Sequence, residues 1–512
     1  MVRVTTAAEA AKIDADAVAA GTASWALMLA AGHAAAAVIL QRFGPELGDG
    51  AIVFAGSGNN GGDGWLVAAE LAGAGVRVAV VASDDPKTED ARRAKSLYHE
   101  AARTPSAPDG EAPIAARVVI DALLGTGSAG APRDAVADAI GSIEALRTSG
   151  ATIIALDMPS GVDATSGEAA GVCVRADVTV TFGTVKRGLL RNREAAGAII
   201  CVDIGLGAAP ANSGALELLD GRHALATVPE ISATAHKGAR RRLLVLGGAA
   251  GMAGAAVLAA RGALRSGVGM VKLCVEQASV APVQAAEPAV LTAAWPADAD
   301  VLKEYLQWAH CVLLGPGLGL TRASRELAMR VLSDWRGPVV VDADALTAFE
   351  GKADQLGELL QGRPAIITPH AVEAHRLAGV PAADIDVDRF DAAARLALRV
   401  NAVVLLKGVP TVVSDGLRTI VVAAGTPVLA TGGSGDVLGG IVATLLAQSG
   451  DPVASAATGA WIHGRAAELA GAGRVRGVAL DDVVRALRDA WVPPSAPVAP
   501  VLLELASVRG DR

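Results

Sequence analysis

A chain of 512 residues with a formal net charge of −8 and only four cysteines is expected to form about two to four domains and to bury at least two full cores. Its acidic balance leaves no electrostatic footprint for nucleic acid or an anionic membrane, and the arginine-rich patches at 187–193 and 240–242 are short. Cys173, Cys201, Cys274 and Cys311 lie far apart with no Cys-x-x-Cys spacing, which argues against a disulfide framework or a thiolate zinc site and reads as a reducing compartment.

In chain order, residues 6–42 read as helical, with Trp25, Leu27, Met28 and Leu29 as core. Residues 17–40 lack charged side chains and imitate a membrane span. Asp14 and Asp16 precede that stretch where a basic region would be needed, and Gly21, Thr22, Ser24, Gly32 and His33 dilute it. A second imitation, residues 243–260, is broken by Gly247, Gly248, Gly251 and Gly254. A soluble cytoplasmic protein is expected.

Short apolar runs predict buried strands at 51–55, 76–82, 118–122, 152–156, 178–182 and 198–202. Helices near 65–74, 87–102 and 134–148 separate the first four, the pattern of a doubly wound α/β domain. Residues 104–113, with three prolines, predict a surface loop. Strong strands lapse over 205–236, which places a linker at 216–234 between domains 1–215 and 235–505. The second α/β series has strands at 243–246, 270–275, 311–314, 339–341, 365–368 and 402–406, then a hairpin from 411–414 and 419–422. Helices at 435–448, 452–470 and 480–490 close it, and the tail 492–512 is expected to pack loosely.

The loop after the first strand, Gly56-Ser57-Gly58-Asn59-Asn60-Gly61-Gly62-Asp63-Gly64, satisfies a weak GxGxxG, with Asp84 ending the next strand. Its amides and Asp63, a carboxylate that would repel a pyrophosphate, suit a polar ligand and a cation more than a docked dinucleotide. In an open α/β sheet, ligands sit outside the carboxyl ends of the strands. There this loop should meet Asp121–Gly130 and Leu156–Gly167. Asp63, Asp121, Asp157 and Asp163 with Asn59, Asn60 and Ser160 form an oxygen donor set suited to a monovalent cation or Mg2+. Asp121 can equally be a cap or turn former, and Asp163 reads as a turn residue. Asp157, aimed by Met158-Pro159-Ser160-Gly161, is the candidate general acid or base. Lys186 reads more simply as a solvated surface lysine than as a phosphate ligand.

These motifs, with Thr181–Gly188, occur in an order that resembles the NAD(P)H-hydrate epimerase family, a Rossmann-like fold. The resemblance implies interconversion of the R and S epimers of NADHX and NADPHX, hydrated forms of the nicotinamide cofactors. It also implies substrate contact by Asn59, Asn60, Gly61, Gly62 and Asp63, by Gly125, Thr126, Gly127, Ser128, Ala129, Gly130 and Ala131, and by Asp157. Asn60, Asp121 and Ser160 would hold K+. Ser57 stands where the family commonly has proline.

The second half carries Leu429–Gly440, LATGGSGDVLGG. Glycines 432, 433 and 435 free backbone N–H groups at a helix start, an anion hole for a transferring phosphoryl group, with Asp436 as candidate base on the attacking hydroxyl. No Walker motif occurs. Lys407 ends a strand, His370 and Glu373 open a helix, and His463 reads as structural. His370 and His375 are spaced wrongly for a metal pair.

These motifs, with Gly315–Gly319, resemble the ribokinase-like superfamily and, within it, ADP-dependent NAD(P)H-hydrate dehydratase. The resemblance implies an S-hydrate site at Ala255, Gly317, His370 and Asp436. It implies a nucleotide site at Lys407, Gly408, Val409, Pro410, Thr411 and Gly435, taking ADP with Mg2+. Arg240–Arg242 stand where a glycine is common. The expectation is a bifunctional repair enzyme, in homo-oligomeric form, without nucleic-acid or membrane partners. A ribokinase-like vitamin or sugar kinase with a non-catalytic ligand-binding N-terminal domain is the alternative.

Overall fold

The computed structural model describes residues 1–102, 116–206 and 216–509, so the surface loop expected at 104–113 lies outside the described residues. The chain divides into two compact units, one of Val2–Ala215 with Ser495–Gly510 and one built chiefly of Leu216–Pro494.

In the N-terminal unit a seven-stranded sheet runs in the order Val78–Ala82, Ala51–Ala55, Val118–Ala122, Thr152–Leu156, Val178–Phe182, Ala198–Val202, Val501–Leu505. All neighbours are parallel except the last pair, Val501–Leu505 against Ala198–Val202. The apolar runs form strands because both faces of this sheet are covered: Val53, Ile120, Ile154 and Ile200 pack on one side, Val119, Ile153 and Ala155 on the other. Chain order reverses between Ala51–Ala55 and Val118–Ala122, the switch point where such sheets open a crevice. Five of the six predicted strands match in extent, and the sixth is shorter, Val78–Ala82.

The predicted N-terminal helix is two, Ala7–Ala19 and Ser24–Phe43. Thr6 and Glu9 form a reciprocal capping box at the start of the first. The second is one helix long and apolar enough to cross a membrane. Leu27, Met28, Ala35, Val38 and Ile39 along it are buried in the unit's core. Helix formation also reaches further into the glycine motif than the sequence suggests, since Asn59–Gly73 is helical from its first asparagine.

In the C-terminal unit the strand order is Leu291–Ala294, Met270–Val275, Arg242–Leu246, Cys311–Leu314, Val339–Val341, Ala365–Ile367, Val403–Leu406, Thr411–Ser414, Thr419–Val422, Leu216–Leu218. Thr411–Ser414 pairs antiparallel with both Val403–Leu406 and Thr419–Val422, and the remaining pairs are parallel. Here the order reverses between Arg242–Leu246 and Cys311–Leu314. Helices Ser434–Ser449 and Pro452–Gly471 pack on the core through Val437, Ile441, Leu445, Ala456 and Ile462.

Two expectations about segment boundaries are corrected. Residues 216–234 are not a free linker, because Leu216–Leu218 pairs with Thr419–Val422 and a helix, Gly221–Ala226, follows. The tail is not loose, because Val501–Leu505 extends the N-terminal sheet and buries Leu503 and Leu505. Each was obscured by a partner strand about 200 or 300 residues distant in sequence.

Candidate active sites

At the switch point of the N-terminal sheet lies a cleft of about 1210 Å³, lined by Asn59, Asn60, Asp63, Gly125, Thr126, Asp157 and Lys186 among others. Asp157 follows the strand Thr152–Leu156 with φ of 63°, a left-handed conformation that costs a non-glycine residue energy and is found where function over-determines the backbone. One carboxylate oxygen accepts from the Thr126 amide at 3.0 Å and from the Thr126 hydroxyl. The other meets Lys186 Nζ at 2.5 Å.

Lys186 is not the solvated lysine expected. It is 3% exposed and donates also to Thr181 Oγ1 and the Phe182 carbonyl. The cause is the strand Val2–Thr5, invisible to the apolar pattern, which pairs in parallel with Val185–Lys186 and sets Thr5 opposite Lys186. Burial alone would raise the Asp157 pKa, but the Lys186 charge and the hydrogen bonds from Lys186 and Thr126 outweigh it and hold the carboxyl below its ordinary value.

Asp63 behaves oppositely. It is 9% exposed, its oxygens find no hydrogen-bond partner among the described residues, and burial, then repulsion from Asp157 and Asp14, drive its pKa well up. Asp63 and Asp157 therefore present one carboxyl held toward the neutral form and one held ionised in the same cleft.

Asn60 lines the cleft while both its side-chain polar atoms are buried without a hydrogen-bond partner. A Cβ added to Gly125 would lie 3.0 Å from Asn60 Cβ and 3.3 Å from Asp157 Oδ2, so only glycine lets that loop approach both. Ser160 donates its amide (2.8 Å) and hydroxyl (2.6 Å) to Asp121, and its hydroxyl accepts from the Leu124 amide. Both residues are fully buried; burial raises the Asp121 pKa to about 6 against the pull of the Ser160 bonds. Of the predicted contacts, Gly61, Gly62, Ala129, Gly130 and Ala131 do not line the cleft. Gly61 and Gly62 are closely packed: a Cβ there would lie 1.9 Å from the Gly56 carbonyl and 2.7 Å from Met28 Cε, respectively. Asp163 is the turn residue expected, accepting from the Thr165 and Ser166 amides.

In the C-terminal unit, Lys407 at the end of Val403–Leu406 lies 2.9 Å from Asp342 and 3.5 Å from Glu373. Desolvation would lower its pKa; the two carboxylates outweigh that and raise it. His370 and Glu373 form a capping box at the start of Ala371–Ala378: Nδ1 of His370 accepts from the Val372 amide at 3.1 Å, and Glu373 accepts from the His370 amide at 2.8 Å. The His370 ring is half-exposed. A parallel bridge ties His370 to Lys407.

Gly433 caps the helix Ser434–Ser449 with φ of 87°, placing Asp436 in the first turn as expected. A Cβ at Gly435 would lie 3.5 Å from Lys407 Nζ, and one at Gly439 3.5 Å from Asp342 Oδ2, so this helix start faces the Lys407 cluster. Burial, then repulsion from Asp342, raises the Asp436 pKa to about 7, with Lys407 opposing and Asp344 and Glu373 adding. Gly317 and Ala255 come together at the sheet reversal, where a Cβ at Gly317 would meet Ala255 Cβ at 2.9 Å. Gly408, at φ of 149°, lies against the Arg389 guanidinium, which donates to the Lys407 carbonyl; Val409 is largely exposed, and Thr411 donates its hydroxyl to the Gly408 carbonyl.

The sequence reading missed Asp342, which is 1% exposed and binds Lys407. An acid directly after a buried strand, as at Asp157, was the available signal.

The family model described as YjeF-related protein N-terminus matches residues 24–188, and the one described as NAD(P)H-hydrate dehydratase matches residues 243–489. The bifunctional NAD(P)H-hydrate repair enzyme Nnr of Escherichia coli is 34% identical over 477 residues, covering 91% of this chain and 90% of its own. The enzyme of the same name from Hyperthermus butylicus is 34% identical over 511 residues, covering 96% and 92%. Among solved structures, an ADP/ATP-dependent NAD(P)H-hydrate dehydratase from Bacillus subtilis, co-crystallized with ATP/Mg2+, aligns at 28% identity over 54% of this chain and 97% of its own, with a TM-score of 0.48. Both domain matches fall on one chain, and relatives at 34% identity span nine-tenths of it, so the chain belongs to the family of bifunctional NAD(P)H-hydrate repair enzymes.

Proposed function

We propose that the N-terminal unit interconverts the R and S epimers of NADHX and NADPHX, and that the C-terminal unit dehydrates the S form to NAD(P)H at the expense of ADP, giving AMP and phosphate. The observation that carries this reading is the presence on one chain of two strand-end sites, each with its own partly buried acid and its own cation: Asp157 with Lys186, and Asp436 in the helix start that faces Lys407.

In the epimerase site, Asp157 moves the proton that inversion of the hydroxyl-bearing carbon requires, with the Lys186 ammonium as counter-ion and proton donor. Asp14, Asp63 and Asp157, three of the six aspartates that line the cleft, disfavour a pyrophosphate beside them and direct the nicotinamide end inward. Asn60, Asp121 and Ser160 fit K+ chemically: the orphaned Asn60 amide oxygen, a carboxylate and a hydroxyl oxygen are all hard donors. A bound K+ would supply positive charge where the hydrate is held.

In the dehydratase site, Asp436 deprotonates the ring hydroxyl, which attacks the terminal phosphorus of ADP. Backbone N–H groups at Gly433, Gly435 and Asp436 take the developing charge as AMP leaves, and loss of phosphate together with a proton from the neighbouring ring carbon restores the ring double bond. Lys407–Thr411 and Gly435 contact the nucleotide, while His370, Ala255 and Gly317 shape the hydrate pocket. Among the described residues no three His, Cys, Asp or Glu side chains converge as metal ligands, so Mg2+ would arrive on the nucleotide phosphates.

Incubation with mixed hydrate epimers and ADP, followed by absorbance of the restored dinucleotide, tests the reading. Complete consumption is expected. Arrest once the S form is spent would make the N-terminal unit a binding module. No restoration, with a phosphorylated product accumulating from a vitamin or sugar, would make the C-terminal unit a kinase.

A further inference from the structure

The glycine-rich strap that presents Asp436, residues 424–434, is held at both ends by one helix, Pro452–Gly471. At the entry, the Glu468 carboxylate accepts the Gly425 amide at 2.9 Å. Its second oxygen is fixed by Arg465 at 3.1 Å. One turn before Glu468 on the helix, Gly464 lets the backbones touch: an added Cβ would lie 2.3 Å from the Ala424 carbonyl. At the exit, Nε2 of His463 lies 3.4 Å from the Ser434 hydroxyl, the first residue of the following helix. His463 and Glu468 are five residues apart, roughly 7.5 Å along the helix.

We propose that Glu468 is a positioning residue for phosphoryl transfer, with His463 as its lesser partner, clamping the two ends of the strap so that its N–H groups and Asp436 stay aimed at the transferring phosphoryl group. This rests on the assignment of Asp436 to the dehydration step. The physical need is specific. Gly425 (φ 121°) and Gly433 (φ 87°) leave the strap backbone in conformations that only glycine adopts freely, and Gly432 has open space where a side chain would pack. Nothing in the strap's own side chains therefore fixes it at those points. A hydrogen bond from a backbone amide to an ionised carboxylate is about twice as strong as a neutral one, and Glu468 is only 17% exposed. His463 supplies no charge of its own: burial, then the Lys407 charge, lowers its pKa to about 4, so it stays a neutral hydrogen-bonding group.

The test compares Glu468→Gln, which keeps an acceptor for the Gly425 amide, with Glu468→Asp, which keeps the charge but withdraws it by one methylene. In the full chain with ADP and the S hydrate, Glu468→Asp is expected to lower the dehydration kcat by roughly 10- to 100-fold with the hydrate KM little changed. Glu468→Gln is expected to stay within about fivefold of the parent, and His463→Asn to fall between them. Epimerisation by the other unit should be unchanged in all three, which reports intact protein. Full dehydration by Glu468→Asp, or an equal loss of kcat in Gln and Asp variants, overturns the proposal. Asp436→Asn is assayed alongside: if that variant keeps full dehydration, the site assignment fails, independently of the strap.

Discussion

The two candidate bases both sit near a lysine at a strand end, Asp157 directly after a strand and Asp436 in the first turn of a helix, and their surroundings drive them in opposite directions. Asp157 shares a dry contact with Lys186 and takes two bonds from Thr126, so it stays ionised below the ordinary carboxylate range. Among the described residues Asp436 makes no such pair, because Lys407 is held by Asp342 and Glu373, and the Asp436 carboxyl rises to about 7. The difference teaches that a lysine beside a partly buried acid has two uses. In the N-terminal unit it neutralises the acid permanently; in the C-terminal unit other carboxylates hold it, and the acid remains poised to take a proton near neutrality.

The largest effect should come from Asp436→Asn, which removes the proposed base while keeping its shape. Dehydration is expected to fall by about a thousandfold with epimerisation unaffected, measured by separate assays of the two steps. A mirrored break is Lys186→Met, which leaves Asp157 buried without its partner. Epimerisation should drop by about a hundredfold or more, and the N-terminal unit should lose up to about 3–5 kcal/mol, read as a lowered transition in calorimetry with dehydration retained.

Gly125→Ala should act more mildly. Its Cβ would press on Asn60 and Asp157 at 3.0 and 3.3 Å, and about a tenfold loss in epimerisation kcat/KM is expected, without loss of dehydration. The smallest effect is on stability. The folded-state pKa of Asp436 lies above its ordinary value of 3.8, at about 7, so its carboxyl destabilises the fold increasingly as pH rises between those values and constantly above them. Asp436→Asn should therefore raise the thermal transition of the C-terminal unit at about pH 8, by no more than about 4 kcal/mol, and leave it unchanged near pH 4.

Much of this architecture is written locally in the chain. Continuous apolar runs such as Ala51–Ala55 and Val118–Ala122 announce two-sided parallel strands, and glycines beside acids announce the loops at their ends. What was not legible depends on distant pairing. Lys186 reads as a surface lysine until Val2–Thr5 is laid beside it. Val501–Leu505 reads as a loose tail until it meets Ala198–Val202. Asn59–Asp63 reads as a loop because glycines weaken a helix, yet the helix forms there because Gly61 and Gly62 fit against Gly56 and Met28 where larger residues would collide. Asp342 escaped because its partner Lys407 lies 65 residues away.

The central claim, that two acids on one chain are tuned in opposite directions for two steps, is tested most directly by measuring both kcat values on one preparation between about pH 6 and about pH 8. Around Asp436 the groups that set its titration are Asp342, Lys407, Asp344 and Glu373; around Asp157 they are Lys186 and Thr126, while Asp63 and Asp14 are themselves raised by the Asp157 charge. Dehydration should climb through a midpoint near 7 as Asp436 loses its proton, and Asp342→Asn should move that midpoint down. Epimerisation should hold its rate across the range. A shared profile for the two steps, or a dehydration midpoint indifferent to Asp342→Asn, would contradict the account.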